Sequence, residues 1–240
     1  DLSQELGYQM QKFSEIPVKR PYDQVPKILL TGEIFVRKDG FSRQKLNEQL
    51  AEMGFAVVCS PTSEWFRYSD YLQRANGSWA SMPIRKKINF TLRQMFMNRY
   101  EKKLTSIFSS TNMIDAKPVN LKKIMHSASP FISEQLMGEA ILTIGSAISE
   151  VATEVCGVIA IGPFGCMPNR ISEAILNETM TREVKLRGCS SENKLEKILA
   201  TMEDLPFLAI ESDGSPFPQL IDAKLEAFCQ QSRRLHERMI

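Results

Sequence analysis

Four short apolar runs constrain this chain more than anything else in it. They are Lys27-Ile-Leu-Leu-Thr-Gly-Glu-Ile-Phe35, Phe55-Ala-Val-Val-Cys-Ser60, Cys156-Gly-Val-Ile-Ala-Ile-Gly162 and Pro206-Phe-Leu-Ala-Ile-Glu211. Each is too short for a stable helix, rich in β-branched and other apolar residues, and closed by a turn-forming or polar residue. Between them lies sequence with helical spacing. Short continuous apolar strands alternating with helices indicate an α/β fold, with a mostly parallel Rossmann-like sheet flanked by helices. The run Cys156 to Gly162 is the most apolar, so it is expected in the sheet interior, covered on both faces.

The helical segments follow from periodicity and punctuation. Leu2, Leu6, Met10 and Phe13 recur at helical spacing, and Pro17 and Pro21 then lead into the first strand. A helix is expected from about Ser42 to Met53, with Gly54 as its C-cap. Residues 64–109 read as two or three helices inserted between strands, turning at Asn76-Gly77-Ser78, with Phe90, Met97, Leu104 and Phe108 on one face. Their basic residues (Arg85, Lys86, Lys87, Arg93, Arg99, Lys102, Lys103) suit a solvated helical face. A long helix is expected from Pro130 to Glu150, capped by Ser129 or Ser133, with Gly138, Gly145 and Ala147 as a small-residue stripe for close packing. Further helices are read at Asn169 to Glu178, Asn193 to Met202 and Phe217 to His236. The expected organisation is an N-terminal helix and linker over residues 1–26, belonging to a longer parent, followed by an α/β domain over 27–240 with a helical insertion at about 64–110.

Composition excludes several function classes. Lys plus Arg is 30 and Asp plus Glu is 28, a formal charge of +2 without a nucleic-acid-like basic cluster, so no nucleic-acid partner is expected. The longest apolar stretch, Val155 to Phe164, falls far short of the roughly 20 residues of a membrane span. The cysteines (Cys59, Cys156, Cys166, Cys189, Cys229) are scattered and odd in number, without CxxC, which points to a cytoplasmic protein rather than a disulfide framework.

In a parallel sheet, ligands bind at the carboxyl ends of the strands. The most informative end is Gly162-Pro-Phe-Gly-Cys-Met-Pro-Asn169. Gly162 and Gly165 permit a tight turn and close backbone approach, and Pro168 suits a first helical turn. Cys166 then precedes a helix N-terminus, where free N–H groups favour an anion. A thiol there suits a nucleophile or a metal ligand; the alternative is a small cysteine in a structural turn. Gly162, Gly165, Cys166 and Asn169 are therefore the candidate cofactor-binding residues, with Cys166 the candidate metal ligand. Glu33, Glu211 and Asp213, at two other strand ends, are candidate substrate contacts. Glu33 follows an apolar run and needs a partner, which Arg37 or Arg170 would supply; Ser215 and Pro216 read as the start of the last helix. Cys59, Cys156 and Cys229 read as core and Cys189 as an exposed loop residue. His126 and His236 stand on polar segments away from strand ends, so no nucleophile–histidine arrangement is expected.

Taken together, Thr31-Gly-Glu-Ile-Phe-Val-Arg37, Ser63-Glu-Trp65, Gly162-Pro-Phe-Gly-Cys-Met-Pro-Asn-Arg170 with Ser172-Glu-Ala174, and Pro206-Phe-Leu-Ala-Ile-Glu-Ser-Asp-Gly214 with Glu226-Ala-Phe228 resemble one family. It is the large bacterial activator of 2-hydroxyacyl-CoA dehydratase, or CoA-substrate-specific enzyme activase. Its later part is related to dehydratase and benzoyl-CoA reductase subunits and to double-cubane-cluster proteins. The resemblance spans about Lys27 to Phe228. It implies a dehydratase-like part working beside an upstream ATPase module of the same polypeptide, in low-potential electron transfer to a [4Fe–4S] cluster. It places Cys166 at a candidate cluster ligand. A cluster takes about four such ligands, so either the others lie upstream in the parent or this branch has lost the cluster, and the fragment alone would be inactive. The competing reading is a Rossmann-like module that binds a CoA thioester or a protein partner and has no cluster of its own.

Overall fold

The computed structural model describes residues 2–75, 78–110, 117–187 and 192–240. In chain order the elements are α1 (Leu2–Ser14), β1 (Lys27–Gly32), α2 (Leu46–Glu52), β2 (Ala56–Cys59), α3 (Ser63–Ala75), α4 (Ser78–Ser81), α5 (Ile84–Ser109), α6 (Leu121–Ala128), α7 (Ala140–Glu150), β3 (Gly157–Pro163), α8 (Met167–Thr179), α9 (Arg182–Arg187), α10 (Glu192–Ile198), β4 (Phe207–Ser212) and α11 (Gln219–Met239). The Asn76-Gly77 part of the expected turn lies outside the described residues.

The chain divides into two compact units. One comprises Asp1–Val25 with Ser63–Asn120, so α1 clusters with the inserted helices rather than standing apart as a linker. Within it α1 packs on α5, and α3 is tied to α5 by Arg67 with Asn98 and Glu101, and by Arg93 with Asp70. Trp79 meets Phe90 edge-on. Of the expected apolar face of α5, Phe90 is buried, whereas Met97 and Leu104 remain exposed.

The second unit, Pro26–Thr62 with Leu121–Ile240, is the Rossmann-like α/β fold that the strand pattern predicts. Its sheet is all parallel, in the order β2-β1-β3-β4. β1 and β3 are interior and almost wholly buried, as continuous apolar runs require when helices cover both faces. α7 and α8 pack on one another and reach β1 and β3. α11 meets β3 where a Cβ on Gly157 would stand 2.4 Å from Ser232 Oγ and 2.8 Å from Phe228. Near the α2 C-terminus, Arg233 of α11 donates to the Met53 carbonyl at 2.7 Å.

Several helix boundaries depart from the periodicity. The second helix starts at Leu46, not Ser42, because Gln44 and Lys45 adopt φ of 52° and 54°. Ser42 donates its N–H and hydroxyl to Asp39, which binds the preceding segment into a turn. No single helix runs from Pro130 to Glu150. The polypeptide forms α6, then turns, and restarts as α7 after Gly138, whose φ of 128° lies outside helical space. Ser133 Oγ accepts the Gln135 N–H in that turn, and Ser129 donates back to the His126 carbonyl, so neither caps α7. Gly145 nevertheless serves as expected: a Cβ there would lie 2.2 Å from the Ile124 carbonyl oxygen, so the glycine lets α6 and α7 touch. α11 begins at Gln219 with Pro218 at its N-cap; Ser215 and Pro216 lie in the preceding loop.

Candidate functional site at the sheet switch point

β1 is flanked by β2 on one side and β3 on the other, so the chain leaves the carboxyl ends of β1 and β3 in opposite directions along the sheet. Such a switch point opens a crevice between the two departing loops. A tight cleft, too narrow in this conformation to admit a water-sized group, occupies this place, lined by Gly32 and Glu33 after β1, Glu139 and Thr143 from the α7 entry, and Cys166, Pro168 and Asn169 at the α8 entry.

The α8 entry is built residue by residue from its sequence. Gly165 takes φ of 74°, which turns the chain from β3 into the helix, and Cys166 stands at the N-cap with Pro168 in the first turn. Cys166 is half-buried. Gly162 has a packing role: a Cβ there would come within 2.6 Å of Asn169 Cγ, so only glycine admits the Asn169 amide against the strand. Asn169 is 4% exposed, and neither its Oδ1 nor its Nδ2 has a hydrogen-bond partner. Thr31 Oγ1, on the penultimate residue of β1, is buried in the same condition.

Glu33 finds a partner of a different kind from the one expected. Its Oε2 accepts the N–H groups of Phe35 at 3.0 Å and Val36 at 2.7 Å, closing its own turn. Arg37 is buried and donates Nη1 to the Gly32 carbonyl at 2.7 Å, while Arg170 pairs with Glu173 and Glu211. The carboxylate facing Glu33 is Glu139, which accepts the Ile34 N–H at 3.2 Å. Burial, and then the charge of Glu33, hold the Glu139 carboxyl above the ordinary carboxylate range; Arg37 offsets part of this. Periodicity alone passed over Glu139, because it was read inside a continuous helix. The signal available was Gly138 immediately before it.

Glu211 and Asp213 lie outside this cleft. Glu211 is engaged by Arg170 through Oε2, with Oε1 unpartnered, and Asp213 accepts the Ser215 N–H at 2.8 Å in an exposed turn. The site thus gathers Glu33, Cys166 and Asn169, and leaves Glu211 within the neighbouring strand β4 and Asp213 in the loop after it.

The remaining described cysteines divide. Cys156 and Cys229 are buried, and burial pushes their thiols up to about 12 and about 11. Cys59, read as core, is only half-buried at the carboxyl end of β2, 3.6 Å from the Arg37 carbonyl oxygen. Cys189 lies outside the described residues. Neither His126 nor His236 lines the cleft. Phe35, Phe164 and Met167, within two residues of Glu33 or Cys166 along the chain, are exposed. Comparison with family models, curated proteins and solved structures found no match.

Proposed function

We propose that this chain is the dehydratase-like part of an iron–sulfur activase system, taking part in ATP-coupled low-potential electron transfer for acyl-CoA chemistry. It would act through Cys166, beside an upstream ATPase module of the same cytoplasmic polypeptide. The observation that carries this reading is the position of Cys166. It stands half-buried at the N-cap of a 13-residue helix, at the switch point where open parallel sheets take their ligands. The resemblance of the GPFGCMPNR string supports it, since Gly162, Gly165, Cys166, Pro168 and Asn169 each have a local part in shaping that turn.

A [4Fe–4S] cluster takes about four ligands, commonly thiolates. Among the described residues no group of three or more His, Cys, Asp or Glu is arranged to hold a metal ion. The described donors therefore do not fit a complete cluster site, and on this reading the chain contributes one ligand to a site completed by other segments. What its own residues do is narrower. Glu33 and Glu139 line the same cleft as the thiol, and Asn169 offers an unused donor and acceptor.

One observation favours a second reading, a binding module for a CoA thioester or protein partner without a cluster: Phe35, Phe164 and Met167, on the strand-end segments that carry Glu33 and Cys166, are apolar and exposed. Iron content separates the two. In the longer parent polypeptide, purified anaerobically, Cys166→Ser should lower iron per chain and abolish dehydratase-supporting activity, because Ser preserves shape but ligates iron poorly. Cys229→Ser should change neither. Equal iron in wild type and Cys166→Ser would reject the ligand role and leave the binding module.

A further inference from the structure

Helix α5 exposes apolar side chains on more than one side, Met97 and Tyr100 among them, and one strip of them is continuous. On the inner side Phe90 is buried, Arg93 meets Asp70 of α3, and Glu101 meets Arg67 of α3. On the outer side Ile84, Ile88, Leu92, Met95 and Phe96 are all exposed, with Ile84 at 73% and Phe96 at 62%. Their spacing places them on one strip of the helix, the pattern by which a helix presents apolar anchors to a partner. A solvated helical face carries polar residues there instead.

The strip changes character along its length. Arg99 stands two turns beyond Leu92, and Lys102 and Lys103 stand two turns beyond Met95 and Phe96, so the apolar strip continues as a cationic one. Met95, Phe96, Asn98, Arg99, Lys102 and Lys103 line a recess of about 660 Å³ at that junction. Arg85 adds charge at the other end of the strip, and the single acid of α5, Glu101, is committed to Arg67.

We propose that the outer face of α5 docks an acidic amphipathic helix of a protein partner. Its apolar side would lie on Ile88, Leu92 and Phe96, and its carboxylates would meet Arg99, Lys102 and Lys103. Charge complementarity selects this occupant. A second copy is disfavoured: antiparallel pairing would set Arg85 against Lys102 and Lys103, parallel pairing would set Arg99, Lys102 and Lys103 against themselves, and no free acid on α5 relieves either. A flat bilayer fits poorly as well. It would bury Arg99 in line with the apolar strip, whereas interfacial helices hold their cations on the opposite, polar face.

The test uses the whole chain and a fluorescein-labelled synthetic helix of roughly 20 residues, with Leu at i, i+3, i+4 and i+7 followed by a Glu-rich turn. Fluorescence anisotropy should show binding that weakens as ionic strength rises from about 0.05 to about 0.2 M. The double variants Leu92→Gln with Phe96→Gln, and Arg99→Glu with Lys103→Glu, should each weaken it by about tenfold or more. Both pairs are at the surface, so an unchanged thermal melt by circular dichroism confirms that folding is intact. The charge-reversed variant should gain affinity for a peptide in which every Glu is replaced by Lys. Three results would overturn the proposal: no measurable binding of the acidic peptide, equal affinity for acidic and basic peptides, or preferential attachment to phosphatidylcholine–phosphatidylserine vesicles.

Discussion

Two residues show how much of the α/β unit rests on single atoms. Gly145 faces the Ile124 carbonyl so closely that Gly145→Ala must push α6 from α7, at a cost of about 1–3 kcal/mol. Gly7, on α1, has open space at the same position, so Gly7→Ala should be neutral or stabilise by up to about 1 kcal/mol through helix propensity. Urea unfolding of the two variants measures the contrast, and equal effects would deny the α6–α7 contact. Glu139 gives a pH signature. Its folded carboxyl is held above the ordinary range, so the folded state binds the proton more tightly than the unfolded chain does. Stability from this group is therefore full below the unfolded carboxylate pKa and is lost as pH rises through the folded one. Glu139→Gln keeps an acceptor for the Ile34 N–H and carries no charge. It should raise the melting temperature at neutral pH, with the gain vanishing near about pH 4.

At the scale of elements, the unexpected support is Lys185 of α9. It is 2% exposed and donates to the carbonyls of Ile148 at 2.9 Å and Ser149 at 3.1 Å, closing the C-terminal end of α7. Lys185→Met should remove the donor to the buried Ile148 carbonyl, leave Ser149 with Thr153 Oγ1 alone, and cost about 1–3 kcal/mol, while the exposed Arg187→Met should cost little. Chemical denaturation compares them; equal losses would mean that Lys185 caps nothing. The strands and α8 also grade cysteine reactivity. Cys156 against β1 and Cys229 in α11 are buried with raised thiol pKa values, whereas Cys59 and Cys166 are half-buried at the carboxyl edge. Iodoacetamide at about pH 8 should label Cys59 and Cys166 in the native protein well before Cys156 and Cys229, followed by peptide mass spectrometry.

Across the whole molecule, protection from exchange should follow the burial of the sheet. β1 and β3 lie in its interior, so their amides should exchange slowest, while α5, whose outer face is exposed, should exchange faster. The strand pattern by itself determined the parallel α/β unit. Four short apolar runs can bury both faces only between helices, and the most apolar of them lies in the interior. The same local chemistry marked the turn at Gly165 and the helix start at Cys166, because positive φ and N-terminal geometry are properties of neighbouring residues. Periodicity missed the break between α6 and α7, since apolar spacing does not register a backbone turn at Gly138. It also missed the meeting of Glu33 with Glu139, the enclosure of Lys185 and the pairing of Arg170 with Glu211. Those contacts join residues distant along the chain, and their energies depend on burial and on which charges the fold brings face to face.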